Sequence, residues 1–342
     1  MGETIRGKLY VGIDIAAQTF TAAWGPDAQQ ISAAQTFSQT QIGRRQLVRA
    51  LKATGCAPEE GLVVLEATGT YWMQVAVALH QAGYPVAVIN PRQAHHFAEA
   101  LLKQAKTDAI DAHTLARLAL TLPVKLWEPP GAVWEALYQR LVEHDNLTSM
   151  RQMQRNQLHA LQQRHQVDPA VAARKQQLVE AMDDQLQTIQ LEIKDWLKRS
   201  EWAELAKRLQ TIPGIGLLSA AWLLVVTAGF TTCDDAEQLA SYLGLAPHPR
   251  HSGTSRRGYR RVGTSGHARA RRVLYQAAFS AARFNPAVKD FYQRLLARGK
   301  PVKVARCAAA RKLVHIAFAV AANGQPYDLS YHHLPSYHSA LA

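Results

Sequence analysis

Tyr10-Val11-Gly12-Ile13-Asp14-Ile15 is an apolar run carrying one carboxylate near its end. Its length and content of Val and Ile read as a buried strand. An ionised carboxylate buried there costs several kcal/mol unless it is paired or bound to a metal. Asp14 therefore either caps the turn after the strand or meets other groups in a site. The rest of the chain decides between these readings.

Residues 18–24 alternate, and residues 30–37 follow the turn formers Gly25-Pro26-Asp27, so the first three strands read as a meander. Residues 40–53 have helical spacing through Ile42, Leu47 and Leu51, and Gly61-Leu62-Val63-Val64-Leu65 is a short buried strand ending at Glu66. A helix over 71–82 closed by Gly83, a strand over 85–89 stopped by Asn90-Pro91 and a helix over 92–105 come next. Lys106-Thr107-Asp108-Ala109-Ile110-Asp111-Ala112 opens another helix with Thr107 as its N-cap. Strand, strand, strand, helix, strand, helix, strand, helix is the order of a ribonuclease H-like α/β domain with a mixed sheet.

In that fold the first and fourth strands are neighbours. Asp14 and Glu66 then lie side by side, and Asp108 and Asp111, three apart, share one face of a later helix. Taken alone, Asp108 and Asp111 are also ordinary first-turn acids complementing a helix dipole. Together, four carboxylates in one cleft repel unless cations sit between them. Two Mg²⁺ ions about 4 Å apart answer this, since hard oxygen donors suit Mg²⁺ and a metal pair serves phosphoryl transfer.

Trp127-Glu128-Pro129-Pro130-Gly131 breaks the pattern and marks a domain edge. From residue 134 to 208 Gly and Pro are scarce, and Leu178, Met182, Ile189, Ile193 and Leu197 recur at helical spacing. This reads as two long helices broken near Asp168-Pro169, forming an antiparallel coiled-coil hairpin and oligomerisation arm. Ile212-Pro213-Gly214-Ile215-Gly216 before an apolar segment has the form of a helix-hairpin-helix turn, in which Gly214 and Gly216 let the backbone approach a phosphate. The same spacing also serves a plain interhelical turn. The apolar segment 217–230 is too short for a membrane span and reads as a core helix.

The 342 residues carry 39 Lys+Arg against 26 Asp+Glu, a formal charge of +13, which favours a polyanionic partner. The excess is concentrated. Between Glu237 and Asp290 there is no acid, while Arg250, Arg256, Arg257, Arg260, Arg261, Arg269, Arg271, Arg272, Arg283 and Lys289 are all cationic. A run this one-sided points to phosphate contacts. Inside it lies His251-Ser252-Gly253-Thr254-Ser255-Arg256-Arg257-Gly258, polar and flexible, where a Ser beside Gly is by default a turn former. Residues 274–284 and 304–322 read as alanine-rich helices of a mainly helical C-terminal domain. Cys56, Cys233 and Cys307 are far apart, which argues against a disulfide framework or zinc finger and for a reducing, cytoplasmic compartment. Residues 1–8 contain no apolar signal core. His332, His333 and His338 lack metal-ligand spacing.

Six stretches in order now carry a resemblance: Val11-Gly12-Ile13-Asp14-Ile15-Ala16, Leu65-Glu66-Ala67-Thr68-Gly69-Thr70-Tyr71, Val88-Ile89-Asn90-Pro91, the run 106–112, Ile212-Pro213-Gly214-Ile215-Gly216 and Ser252-Gly253-Thr254-Ser255. Across residues 8–325 the chain resembles the DEDD transposases of the IS110 insertion-sequence group. The resemblance implies a RuvC-like DEDD domain over 1–128, a coiled coil over 129–208, a transposase domain over 209–325 and a tail over 326–342. It implies Mg²⁺ on Asp14, Glu66, Asp108 and Asp111, and Ser252 as nucleophile, with Ser255 the fallback. It further implies an element-encoded bridge RNA pairing with target and donor DNA, a phosphoserine intermediate, a Holliday junction, and a tetramer built from dimers in which the serine of one subunit completes the carboxylate site of another. The expected location is bacterial cytoplasm at the nucleoid.

Serine chemistry suits exchange, because attack by a hydroxyl stores the phosphodiester energy in a bond that a DNA hydroxyl reverses, whereas hydrolysis discards it. Three rivals remain. A RuvC-like junction endonuclease uses the carboxylates without the serine. An actin-like kinase or ATPase shares a strand ending in Gly-x-Asp but needs further Gly-rich phosphate loops, and no convincing pair is present. A basic nucleic-acid packaging protein explains the charge and leaves the carboxylates without a purpose.

Overall fold

Alternation along the opening strand gives the first sheet two covered faces. The computed structural model describes residues 7–67, 69–101, 107–248, 251–252, 256–257, 261–262 and 266–328. By contacts the chain divides into two units, Met1–Pro130 and Gly131–Ala342.

In the first unit β1 (Leu9–Ile15), β2 (Thr19–Gly25) and β3 (Gln35–Ser38) form the meander. They are followed by α1 (Gln41–Lys52), β4 (Gly61–Glu66), α2 (Trp72–Gln81), β5 (Val86–Ile89), α3 (Pro91–Ala100) and α4 (Asp108–Thr121). The sheet order is β3-β2-β1-β4-β5, antiparallel within the meander and parallel across β1, β4 and β5, in keeping with the ribonuclease H-like arrangement. Val11, Ile13 and Ile15 face Leu47 and Leu51 of α1 and Val75 and Leu79 of α2. Tyr10, Leu62 and Val64 face Leu115 and Leu118 of α4 on the other side. The third strand begins at Gln35 rather than near residue 30, because the Asp27 carboxylate accepts from the amides of Gln29 and Gln30 (2.8 and 3.0 Å) and lengthens the turn. α3 ends at Ala100 rather than 105; residues 102–106 lie outside the described part.

The second unit opens with α5 (Ala132–Gln162) and α6 (Pro169–Arg199). Their cross-pairs run in opposite senses: Arg140 to Glu192 (2.7 Å), Arg155 to Asp183 (2.8 Å) and Lys175 to Gln157 (2.8 Å). The two helices therefore lie antiparallel. Asp168 caps α6 by accepting from Ala170 N at 2.8 Å, with Pro169 in the first turn, where its missing N–H costs nothing. Val179, Leu186, Ile189, Ile193 and Leu197 are buried along α6, whereas Leu178 is exposed. One residue around a helix is about 100°, enough to turn Leu178 off the seam that Val179 occupies.

Then come α7 (Ala203–Gln210), α8 (Leu217–Val226), α9 (Ala236–Tyr242), β6 (Pro247–His248), β7 (His251–Ser252), β8 (Arg256–Arg257), β9 (Arg261–Val262), α10 (Ala268–Phe284), α11 (Pro286–Ala297) and α12 (Val302–Asn323). α8 is the buried centre, its Trp222, Leu223 and Leu224 belonging to one core with Leu274 of α10 and Leu313 of α12. It stops at Val226 rather than 230. Thr227 Oγ1 donates to Leu223 O (2.7 Å) and accepts from Phe230 N (2.8 Å), and Ala228, Gly229 and Phe230 all take positive φ. α11 lies between the two expected C-terminal helices. Asn285 ends α10 with its backbone amide on Ala281 O and caps α11 with its side chain on Val288 N.

The polar stretch around Ser252 is not purely loop. β6 pairs with β9 (Pro247 with Val262, His248 with Arg261), and β7 pairs with β8 (His251 with Arg257, Ser252 with Arg256). These are two separate two-stranded antiparallel pairs, their registers offset by one residue. The sequence there lacks the alternating apolar residues that announce a strand. Among the described residues no helix is long and apolar enough to cross a membrane, and Cys56, Cys233 and Cys307 are unpaired thiols.

Candidate functional site

Period-two alternation places Tyr10, Gly12 and Asp14 on one face of β1 and Leu62, Val64 and Glu66 on the same face of β4. The parallel register pairs Ile13 with Leu65, so Asp14 and Glu66 are the next residues along adjacent strands. α4 lies across this face. A Cβ added to Gly12 would sit 2.1 Å from both Ala112 O and Ala116 N, so only glycine allows so close an approach. Asp108 sits one turn before Ala112 and Asp111 directly precedes it. Their helix starts where Thr107 Oγ1 accepts from Ile110 N (3.3 Å) and Thr107 O accepts from Asp111 N (2.9 Å).

Electrostatics registers the meeting. Burial, then Asp111 and Asp108, push the Asp14 carboxyl up to about 6; Glu66 adds to the rise, and the Ile15 backbone N–H opposes it. Asp14, Glu66 and Asp111 are partly buried and Asp108 is exposed. The donor set is all carboxylate oxygen, the chemistry that suits Mg²⁺. Among the described residues, however, no three His, Cys, Asp or Glu groups are gathered as they stand into a cluster that could hold an ion. The fit to a hard cation is one of donor type and charge, not of preformed coordination geometry.

The second set of expected residues is distributed differently. Gly214 has φ +106°, and an added Cβ would lie 2.6 Å from the Ala281 Cβ, which gives this glycine a packing reason against α10. Gly216 is exposed and precedes α8, with nothing near its missing side chain. Arg272 donates to Asp145 Oδ2 of α5 at 2.6 Å, and Arg269 reaches the same oxygen at 3.5 Å. These two arginines, expected on a phosphate, pin α10 to α5. Arg271 is partly buried on α10. The backbone of Ser252, Arg256, Arg257 and Arg261 is in the short strands β7, β8 and β9, while their side chains, and all of Arg250, Ser255 and Arg260, lie outside the described part. So do His332, His333 and His338. Sequence reading missed Gly12 and Asp145; a glycine inside a strand was the available signal for the first, and an acid in a polar helix gave none for the second.

Two family profiles match the chain. One, described as a transposase and specific to the DEDD type of IS110, covers residues 11–165; the other, described as the transposase IS116/IS110/IS902 family, covers residues 206–293. The chain is 30% identical over 334 residues to the pilin gene-inverting protein of Moraxella bovis, covering 95% of this chain and 99% of that protein. The pilin gene-inverting protein of Moraxella lacunata is similar to the same degree over the same span. The 43.6 kDa protein of insertion element IS110 from Streptomyces coelicolor is 36% identical over 120 residues, 35% of this chain and 29% of that protein.

Proposed function

The chain belongs to the IS116/IS110/IS902 family of insertion-sequence transposases, and on that premise we propose that Asp14, Glu66, Asp108, Asp111 and Ser252 are its strand-exchange machinery. The observation that carries the reading is the Asp14 carboxyl, raised to about 6 first by burial and then by Asp111, Asp108 and Glu66, with all four acids at the same end of the sheet and its covering helix. The strand ends fix Asp14 and Glu66, and the first turn of α4 fixes Asp108 and Asp111, so the donors are set by secondary structure. Mg²⁺ bound to these four carboxylates supplies charge neutralisation and polarisation at a scissile phosphate. Without such a partner Asp14 holds its proton up to about pH 6 and is an unfavourable buried charge above that, and a bound cation would favour the ionised form.

The Ser252 hydroxyl attacks phosphorus; a Ser–O–P bond forms, the P–O bond to the departing sugar breaks, and that sugar oxygen takes a proton. Attack by another sugar hydroxyl reverses the step on a new strand and frees the serine. A bridge RNA pairing with donor and target DNA selects the sites, and two such exchanges pass through a Holliday junction. The Moraxella proteins are named for inverting a gene, and an inversion requires strands to be cut and rejoined. A tetramer built from dimers, with α5 and α6 as a coiled-coil arm, is the assembly this reading carries.

The test uses the full chain with its copurifying RNA, element-end DNA and Mg²⁺, resolved under denaturing conditions. A covalent protein–DNA adduct forms with the native protein and is lost in Ser252→Ala. Undiminished strand cleavage by Ser252→Ala removes the nucleophile and leaves the carboxylates acting by hydrolysis, as in a RuvC-like endonuclease.

A further inference from the structure

The outer face of α10 carries Arg272, Gln276, Phe279 and Arg283 at spacings of four, three and four, which align on one stripe of a helix. Phe279 is 40% exposed. The Arg306 guanidinium of α12 lies over its ring, 3.3 Å from the centroid, and 5.4 Å from the centroid of Tyr275. Arg306 Nη1 donates to Tyr275 Oη at 3.3 Å, and the Tyr275 and Phe279 rings meet edge-on at 6.0 Å. A flat guanidinium and two rings are thus fixed together at the surface. The ion pairs among the described residues leave Arg283 and Arg306 without a carboxylate.

At the other end of the stripe is a cavity of about 970 Å³ between α5, α8 and α10. Trp222 and Met153 give it apolar walls, and Gln152, Asn156, Gln276 and Arg272 give it amide and guanidinium donors. Its one acid among the described lining residues, Asp145, is neutralised by Arg272 and Arg269. Side-chain amides match base edges, aromatic and guanidinium planes stack on base faces, and a surface without free acid accepts phosphates. A protein partner would need a broad apolar patch; this stripe alternates charge, amide and a single ring.

We propose that an unpaired nucleic-acid strand lies along α10, with one base stacked on the Phe279–Arg306 plane and its neighbours entering the α5–α8–α10 groove. The inference rests on the reading of the chain as a nucleic-acid recombinase and adds a site remote in sequence from its carboxylates. An unpaired strand is required because a base inside a duplex cannot offer its face to a ring. RNA and DNA offer the same faces.

The full-length protein is titrated with short unpaired RNA and DNA oligonucleotides of one sequence, each carrying a 5-iodo pyrimidine, and irradiated. The expected result is a cross-link in the peptide containing Phe279, and a loss of affinity of about tenfold or more in Phe279→Ala, the range for one stacked base. Phe279→Leu keeps an apolar side chain for packing and loses the affinity too; Phe279→Trp retains it. Phe284→Ala, which removes an exposed ring off the stripe, leaves affinity unchanged. Whichever oligonucleotide gives the Phe279 cross-link identifies the strand. Native affinity and cross-linking in folded Phe279→Leu would overturn the proposal, showing that the ring only packs α10 on α12. Failure of the native protein to bind either oligonucleotide would also overturn the proposal, while the strand-exchange reading, tested separately by the Ser252 adduct, would stand.

Discussion

Asp14 is a residue whose burial makes sense only in company. Its folded carboxyl stands at about 6 against an ordinary 3.8, so the fold binds that proton more tightly than the unfolded chain does. The stability this gives is present below pH 3.8 and is lost as pH rises from 3.8 to about 6; above that, the native state carries an unfavourable charge. Asp14→Asn removes the penalty. In protein stripped of divalent cations the variant should be more stable than native by about 1–2 kcal/mol at pH 7–8, after allowance for solvent screening, and indistinguishable at pH 3.5. Chemical denaturation at the two pH values measures it. A destabilised variant at neutral pH would mean that Asp14 is a structural cap. The sequence made Asp14 suspicious through its apolar neighbours; it carried no equivalent sign for Asp145, whose burial beside Arg272 arises from the packing of α5 on α10.

The joint of β1 and α4 is where the element scale decides the site. Gly12 lets the α4 backbone touch the strand, and that contact sets where Asp108 and Asp111 end up. Gly12→Ala places a methyl group where backbone atoms already lie, and moving α4 should cost about 1–3 kcal/mol, as overpacking does. The predicted signature is a lowered melting temperature together with faster hydrogen exchange in Asp108–Thr121, while α5 and α6 exchange as before. Unchanged protection in α4 would contradict the packing account. Strand alternation and the Thr107 cap were readable because they are local. The start of β3 and the short strands around Ser252 were not, although their partners are close in sequence, because a side-chain turn at Asp27 and a pairing of polar strands leave no apolar pattern; the exposure of Leu178 depends on which face of α6 is covered.

At the scale of the molecule, the carboxylates belong to the unit Met1–Pro130 and Ser252 to the unit Gly131–Ala342. The proposed chemistry needs both at one phosphate. If the serine comes from another subunit, Asp14→Asn and Ser252→Ala proteins, each inactive alone, should together regain strand exchange when mixed before assembly, and no recovery would place both groups in one chain. The meander, the parallel strands and the basic bias of the second half follow from pattern and charge. The serine's role rests on resemblance to a family, because a Ser beside Gly carries no physical signature of a nucleophile. The central claim is the carboxylate site, and Mg²⁺-dependent strand cleavage by single charge-neutralised variants tests it most directly. Asp14→Asn, Glu66→Gln, Asp108→Asn and Asp111→Asn should each stay folded, keep nucleic-acid affinity and lose cleavage by about a hundred- to a thousandfold, as removal of a group stabilising transition-state charge does, while Asp183→Asn on α6 cleaves normally. Native cleavage by any one of the four would contradict it.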